Sequence, residues 1–243
     1  METGAREFFL QALQTPSASG YERPVQQLVR EYVADFADEV RTDVHGNVIA
    51  VKNPDAPLRL MLAGHCDQIG LIVQHIDDEG FIYIRTIGGW DPQILIGQRM
   101  TVWTQAGPVP GVIGKKPIHL LTDEEKKKVP KIKDLWLDIG AASKDEARKL
   151  LSVGDAVTVT LEVVELHGGR LASPAMDDKS GMWTVIEALR RAEKGKLACG
   201  LYAVSTVQEE VGLRGARTSS FGIDPHVGVA VDVTHATDAP TIE

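Results

Sequence analysis

Ser173-Pro-Ala-Met-Asp-Asp-Lys-Ser-Gly181 sets two adjacent carboxylates, Asp177 and Asp178, at the mouth of a predicted helix. Beyond it, Met182, Val185, Ile186 and Leu189 recur at i, i+3, i+4 and i+7, the one-sided stripe of an amphipathic helix. Gly195 is its expected stop. A helix amino end attracts carboxylates through its free N–H groups and its dipole, so the pair taken alone reads as a cap. Three other segments shift that reading. His65-Cys-Asp67 closes one predicted strand, Gln208-Glu209-Glu210 closes another, and Val231-Asp232-Val233 lies in or at the end of a third. One histidine with carboxylates at several strand ends is the ligand set of a hydrolytic metal site.

Outward from this stretch the chain has two textures. Residues 58–63 form a short apolar run ended by Gly64, as expected of a strand buried on both faces in a helix-covered sheet. Helical spacing precedes it over 5–13 and 24–36, separated by Thr15-Pro-Ser-Ala-Ser-Gly20, and alternating segments 40–44 and 47–51 flank a hairpin turn at His45-Gly46. Between 69 and 165 the pattern is short β-type segments (71–76, 81–86, 100–103, 109–113, 156–164) with one short helix over 144–151. The charged run at 123–128 reads as a solvated loop, and His75, His119 and His167 as ordinary polar residues. From Pro174 strand and helix alternate again, with strands at 201–207 and 227–233 joined by a loop rich in Gly and Arg. The expectation is a discontinuous α/β domain of 1–68 and 166–243 interrupted by an inserted β-rich domain of 69–165.

A chain of 243 residues can bury a full core, and 43% apolar with 25% charged residues is ordinary for a globular protein. The net charge of -8, without a long basic block, argues against a nucleic-acid partner. Cys66 and Cys199 form no CxxC pair, so neither a disulfide framework nor a cysteine-rich zinc module is expected. The amino end lacks a basic region followed by an apolar run, and no window approaches a membrane span, which gives the expectation of a soluble, cytoplasmic protein with no membrane partner.

The ligand candidates carry different chemistry. His65 and Asp67, two apart in extended chain, share a side. Asp67 is either a direct ligand or, preferably, the outer carboxylate that accepts the ring N–H of His65 and fixes its tautomer. Adjacent Glu209 and Glu210 would point opposite ways in extended chain, so one can bind a metal while the other reaches a water as general base. Glu209 is read as base and Glu210 as ligand, an order the spacing itself does not fix. Asp232, in an apolar setting, needs a partner: a metal, or Arg214, Arg217 or His235.

Six segments, AGHCDQIGLIV (63–73), GGWDPQILIGQRM (88–100), GVIGKKPIHLL (111–121), SPAMDDKSG (173–181), TVQEEVGLRGA (206–216) and AVDVTHATD (230–238), closely resemble the tetrahedral (TET) aminopeptidases, also labelled glutamyl aminopeptidases or endoglucanases. The resemblance implies a three-layer α/β/α zinc-peptidase-like catalytic domain with an inserted small PDZ-like β-barrel used for dimerisation. It implies two divalent metals, zinc or cobalt, bridged by Asp177, with His65 and Asp232 on one and Glu210 on the other. Glu209 would accept the proton, Asp67 would hold His65, and a cis peptide would follow Asp177. It further implies removal of N-terminal residues from peptides by homo-oligomers, dimers assembled into a tetrahedral dodecamer. In the family a further histidine well beyond Asp232 completes the second metal site. The chain stops at Glu243 and His235 lies too close, so the expectation is an unfinished α/β domain. A co-catalytic metal deacylase or carboxypeptidase, and a non-catalytic shell-forming homologue with an incomplete site, are the alternatives. The glycosidase label is weaker, because these carboxylates come with a histidine in a metal pattern.

Overall fold

The computed structural model describes residues 2–192 and 194–240, which fall into two compact units, 1–67 with 163–243 and 68–162. The expectation about how the α/β domain ends at Glu243 lies outside the described residues. The first unit opens with helices α1 (Thr3–Gln14) and α2 (Arg23–Val33) and strands β1 (Glu39–Thr42), β2 (Val48–Lys52) and β3 (Arg59–His65). The second unit holds β4 (Gly70–Ile76), β5 (Ile82–Ile87), α3 (Pro92–Leu95), β6 (Arg99–Thr104), β7 (Gly107–Lys115), α4 (Asp123–Lys126), β8 (Leu135–Asp138), α5 (Lys144–Leu150) and β9 (Ala156–Val159). The chain then returns to the first unit through β10 (Val164–Leu166), β11 (Arg170–Ala172), α6 (Met176–Arg191), β12 (Gly200–Thr206), α7 (Arg214–Ile223) and β13 (Val227–Ala230).

The main sheet runs β1-β2-β12-β3-β13. Strand β12 is antiparallel to β2 but parallel to β3, which is parallel to β13. Alternation along β2 explains the layering. Val48 and Ala50 point into a core with α1, α2 and α6, whereas Ile49 and Val51 join Tyr202, Val204 and Ile223 of α7 on the opposite face. Central β12 is buried throughout. In β3 burial is only partial, short of the two-faced burial its apolar run suggests.

The second unit closes as a six-stranded barrel in the order β4-β5-β8-β7-β6-β9, with its own apolar interior that includes Leu71, Ile82, Met100, Ile113 and Leu137. Its first and last strands pair with each other, Leu71 against Val157. Several elements escape the sequence pattern: the short strands β8 and β11, the one-turn helices α3 and α4, the latter inside the charged run expected as a loop, and helix α7, where only a loop is expected. The expected strand over 156–164 is instead β9 followed by the separate short strand β10.

Candidate metal centre

Close backbone approach sets the geometry. A Cβ on Gly64, in β3, would collide with the backbone of Gly181 and Met182, so the absence of side chains lets the start of α6 sit directly on the end of β3. The pairing of β3 with β12 matches His65 to Thr206, which brings the segment after β12 alongside. That segment turns sharply through Gln208, a non-glycine residue at φ 55, and folds back with Gly215 N–H donating to Val207 O at 2.9 Å. Buried Asn47 fastens it: its Oδ1 accepts Val207 N–H at 3.0 Å, and its Nδ2 donates to Gly215 O at 3.0 Å and Thr218 Oγ1 at 2.9 Å.

The two aspartates of the opening stretch divide the roles weighed for them. A cis peptide joins them, and both depart from helical dihedrals. Asp178 is buried and caps: its carboxylate accepts the Gly181 N–H at 3.0 Å and the His65 backbone N–H at 3.2 Å. The Asp177 side chain, 58% exposed, points instead at the His65 ring, with Oδ1 3.2 Å from Nε2.

His65 is nearly fully buried, and its nitrogens face different partners. Nδ1 lies 2.9 Å from Asp67 O and 3.4 Å from Asp67 Oδ1. Nε2 faces Asp177, Glu209 Oε2 at 3.7 Å and Asp232 Oδ1 at 4.0 Å. Asp67, with no exposed surface, also accepts Ser19 Oγ–H at 2.6 Å and the backbone N–H groups of Glu209 at 3.0 Å and Glu210 at 3.2 Å. One carboxylate thereby ties the imidazole to the loop that carries both glutamates. Ser19 was not legible as part of this arrangement, since a serine in a Pro/Gly-rich loop has no distinguishing spacing.

At two positions the structure differs from what the sequence suggests. Glu209 and Glu210 do not continue the strand: they open a turn in which the N–H groups of Gly212 and Leu213 both donate to Glu209 O at 2.9 Å, so the extended-chain premise does not apply. Glu209 approaches His65 Nε2, and Glu210 groups with His65 and Asp177 on the same centre. Asp232 lies past the end of β13 with its side chain 54% exposed, so burial does not force a partner on it. Its Oδ1 accepts the Val233 N–H and faces His65, not Arg214, Arg217 or His235.

Two sets of donor atoms, His65–Asp177–Glu210 and His65–Asp178–Asp232, each lie within 4.8 Å of one another. Crowding shows in the acidities. Burial, reinforced by Asp177, pushes the Glu210 carboxyl up to about 7. Burial likewise lifts Asp178 to about 7, Asp232 adding to it against the pull of His65. Glu209 is raised chiefly by burial, with Asp232 among the acids that add to it. Burial would lower the imidazole of His65, but the Asp67 hydrogen bond and charge, with Asp178 and Glu209, outweigh it and raise it to about 9. Burial would raise Asp67, yet hydrogen bonds from His65, Ser19 and Glu209 N–H hold it below the usual carboxylate range. Acids packed this closely bind a positive charge to relieve their repulsion, and oxygen and imidazole donors suit a borderline divalent cation.

An imidazole and carboxylates gathered at the carboxyl ends of strands in a mixed α/β sheet define a candidate hydrolytic metal centre. The sequence matches the M42 glutamyl aminopeptidase family over residues 46–243, and the chain belongs to that family. It is 40% identical over 234 residues to a lysyl aminopeptidase of Pyrococcus furiosus, covering 95% of this chain and 66% of that one. The chain thus spans a little under two thirds of that curated relative. Among solved structures, a TET aminopeptidase from a marine sediment thaumarchaeote superposes with a TM-score of 0.94 at 37% identity over 98% of this chain and 68% of that one. The TET1 peptidase of Pyrococcus horikoshii, which can assemble into a tetrahedron or a large octahedral shell, gives 0.87 at 32% identity over 98% and 72%.

Proposed function

We propose that this chain carries most of the catalytic centre of a metal-dependent aminopeptidase that removes residues from peptide N-termini. The observation that carries this reading is the convergence of His65, Asp177, Glu209, Glu210 and Asp232 from three strand ends and one helix start, in a family named for that activity. Two divalent cations, zinc or cobalt, would be held by His65, Asp177, Glu210 and Asp232, whose donor atoms gather in the groups described above. When bound, such ions supply Lewis acidity to the scissile carbonyl and make a water acidic near neutral pH.

The chain's own residues have separable tasks. Asp67 accepts from Nδ1 of His65 and keeps Nε2 as the lone-pair nitrogen that faces the centre. Glu209, raised in pKa yet outside both three-residue donor groups, takes the proton of the attacking water and returns it to the leaving amine. Carboxylates left over from ligation attract the ammonium of a peptide's free N-terminus, which favours cleavage at chain ends. We assign the 68–162 barrel the role of a PDZ-like dimerisation module in a zinc-peptidase-like architecture, and expect homo-oligomers of the kind the TET1 peptidase forms.

Glu209→Gln tests the reading. It removes the proton acceptor and keeps the volume, so metal uptake should stay near wild type while kcat on an aminoacyl-p-nitroanilide falls by about two to four orders of magnitude. An unchanged kcat would dismiss Glu209 as the base.

A further inference from the structure

Glu22 ends the loop between α1 and α2 and stands at the amino cap of α2, yet its side chain does not cap that helix. It is 6% exposed and turns instead toward two other segments: Oε1 accepts the N–H of Gly20 at 2.8 Å and the N–H of Gln208 at 3.2 Å. Gln208 directly precedes Glu209 and Glu210. Glu22 itself belongs to neither donor group at the metal centre.

Its bonds repeat the pattern of Asp67. That carboxylate takes one donor from the α1–α2 loop, Ser19 Oγ–H at 2.6 Å, and the next two N–H groups of the other loop, Glu209 at 3.0 Å and Glu210 at 3.2 Å. Three consecutive amides, 208 to 210, therefore end on two buried carboxylates, and each carboxylate also holds a donor from residues 19–20. The α1–α2 loop is anchored in turn to the start of α6, where buried Lys179 donates from Nζ to Thr15 O at 2.6 Å. Burial pushes the Glu22 carboxyl up even though backbone N–H groups, that of Gly20 foremost, pull it down, and the charge of Asp67 adds to the rise. A carboxylate buried near another opposes stability, a placement that proteins keep at functional sites. Gln208 also needs support, because its φ of 55 is a left-handed conformation that a residue with a Cβ holds only where its surroundings fix it.

We propose that Glu22 is a positioning residue: its carboxylate ties the N–H of Gln208 to the α1–α2 loop and so sets the start of the turn that presents Glu209 to the attacking water and Glu210 to the metal. The assignment rests on the proposed function for the roles of those two glutamates. Glu22 acts by accepting hydrogen bonds. Glutamine, a neutral acceptor of the same reach, serves in its place. Alanine offers no acceptor, and aspartate, one methylene shorter, does not reach both N–H groups.

The test follows amide exchange by NMR in the metal-free chain and then titrates cobalt(II) by its visible absorption. In folded Glu22→Ala the amides of Glu209 and Glu210, whose own acceptor Asp67 is untouched, should exchange about tenfold faster or more, and cobalt affinity should fall about tenfold. Glu22→Gln should match wild type in both measurements. Glu22→Asp should match the alanine variant, and it carries the test where Glu22→Ala does not fold. A merely local role would speed exchange only at Gly20 and Gln208, and that result overturns the proposal. So does an unchanged cobalt affinity, a glutamine variant as impaired as alanine, or the failure of both the alanine and aspartate variants to fold. If wild type itself takes up no cobalt, the metal reading fails, and exchange at Glu209 and Glu210 alone decides whether Glu22 holds the turn.

Discussion

At the scale of single residues, the centre is governed by competition between protons and cations for the same lone pairs. Glu210 titrates near 7 and His65 near 9 in the metal-free chain, both above their ordinary values. A divalent ion needs Glu210 ionised and Nε2 of His65 unprotonated, so at pH 6 both must lose protons before it can bind. The sign is the same for both groups, and apparent affinity for zinc or cobalt should climb steeply from about pH 6 to about pH 9 and then flatten. Proton release on binding, read from calorimetry in buffers of different ionisation enthalpy, should shrink over the same window. A flat affinity profile across it would show that these groups are not ligands. Asp67 behaves oppositely, because its donors hold it ionised, and Asp67→Asn should loosen the imidazole and the Glu209–Glu210 loop together. We expect metal affinity in that variant to fall by about 10- to 100-fold.

At the scale of elements, the decisive contact is the crossing of β3 and α6 at Gly64 and Gly181. Any Cβ on Gly64 meets backbone, which cannot rotate away as a side chain could. Gly64→Ala should therefore cost about 3 kcal/mol of stability in denaturant melts and displace His65, its neighbour in sequence. Gly222 is the matched control. It lies in α7 with open space around an added Cβ, so Gly222→Ala should gain about 0.5–1 kcal/mol. Equal effects at the two positions would remove close approach as the explanation. The same comparison shows what the sequence made legible. The stripe Met182, Val185, Ile186, Leu189 announced α6 because apolar burial is periodic, and all four are buried. Helix α7 was illegible because it buries only Gly215, Ser219 and Ile223, which leaves no apolar stripe to read. The two carboxylates at 177 and 178 were visible as a pair, but their division into cap and centre-facing group depends on local dihedrals that spacing does not encode. Glu209 and Glu210 were legible as candidates, whereas their gathering at one centre goes with the turn that they open, which spacing does not encode.

At the scale of the whole molecule, the insertion has a physical rationale. A segment that enters by β4 and leaves by β9 can be accommodated in a loop of the α/β unit because these two strands are paired neighbours, which keeps its ends close. Closure of the six strands removes free sheet edges, and the interior of Leu71, Ile82, Met100, Ile113, Leu135, Leu137 and Val157 is drawn entirely from 68–162. With its core cluster drawn from its own residues, the barrel should be able to fold by itself. Residues 68–162 expressed alone are expected to be monomeric or dimeric, to show a β-rich spectrum and to unfold in one cooperative transition. The reciprocal chain, with 68–162 replaced by a short Gly/Ser linker, should keep the His65–Asp177–Glu210 grouping and take up a divalent metal with affinity within about tenfold of the whole chain. Loss of metal uptake there, with secondary structure retained, would mean that the inserted unit helps to shape the centre. A non-cooperative or unfolded barrel would mean that closure and an internal core are insufficient at this size, and that the α/β unit contributes to its stability.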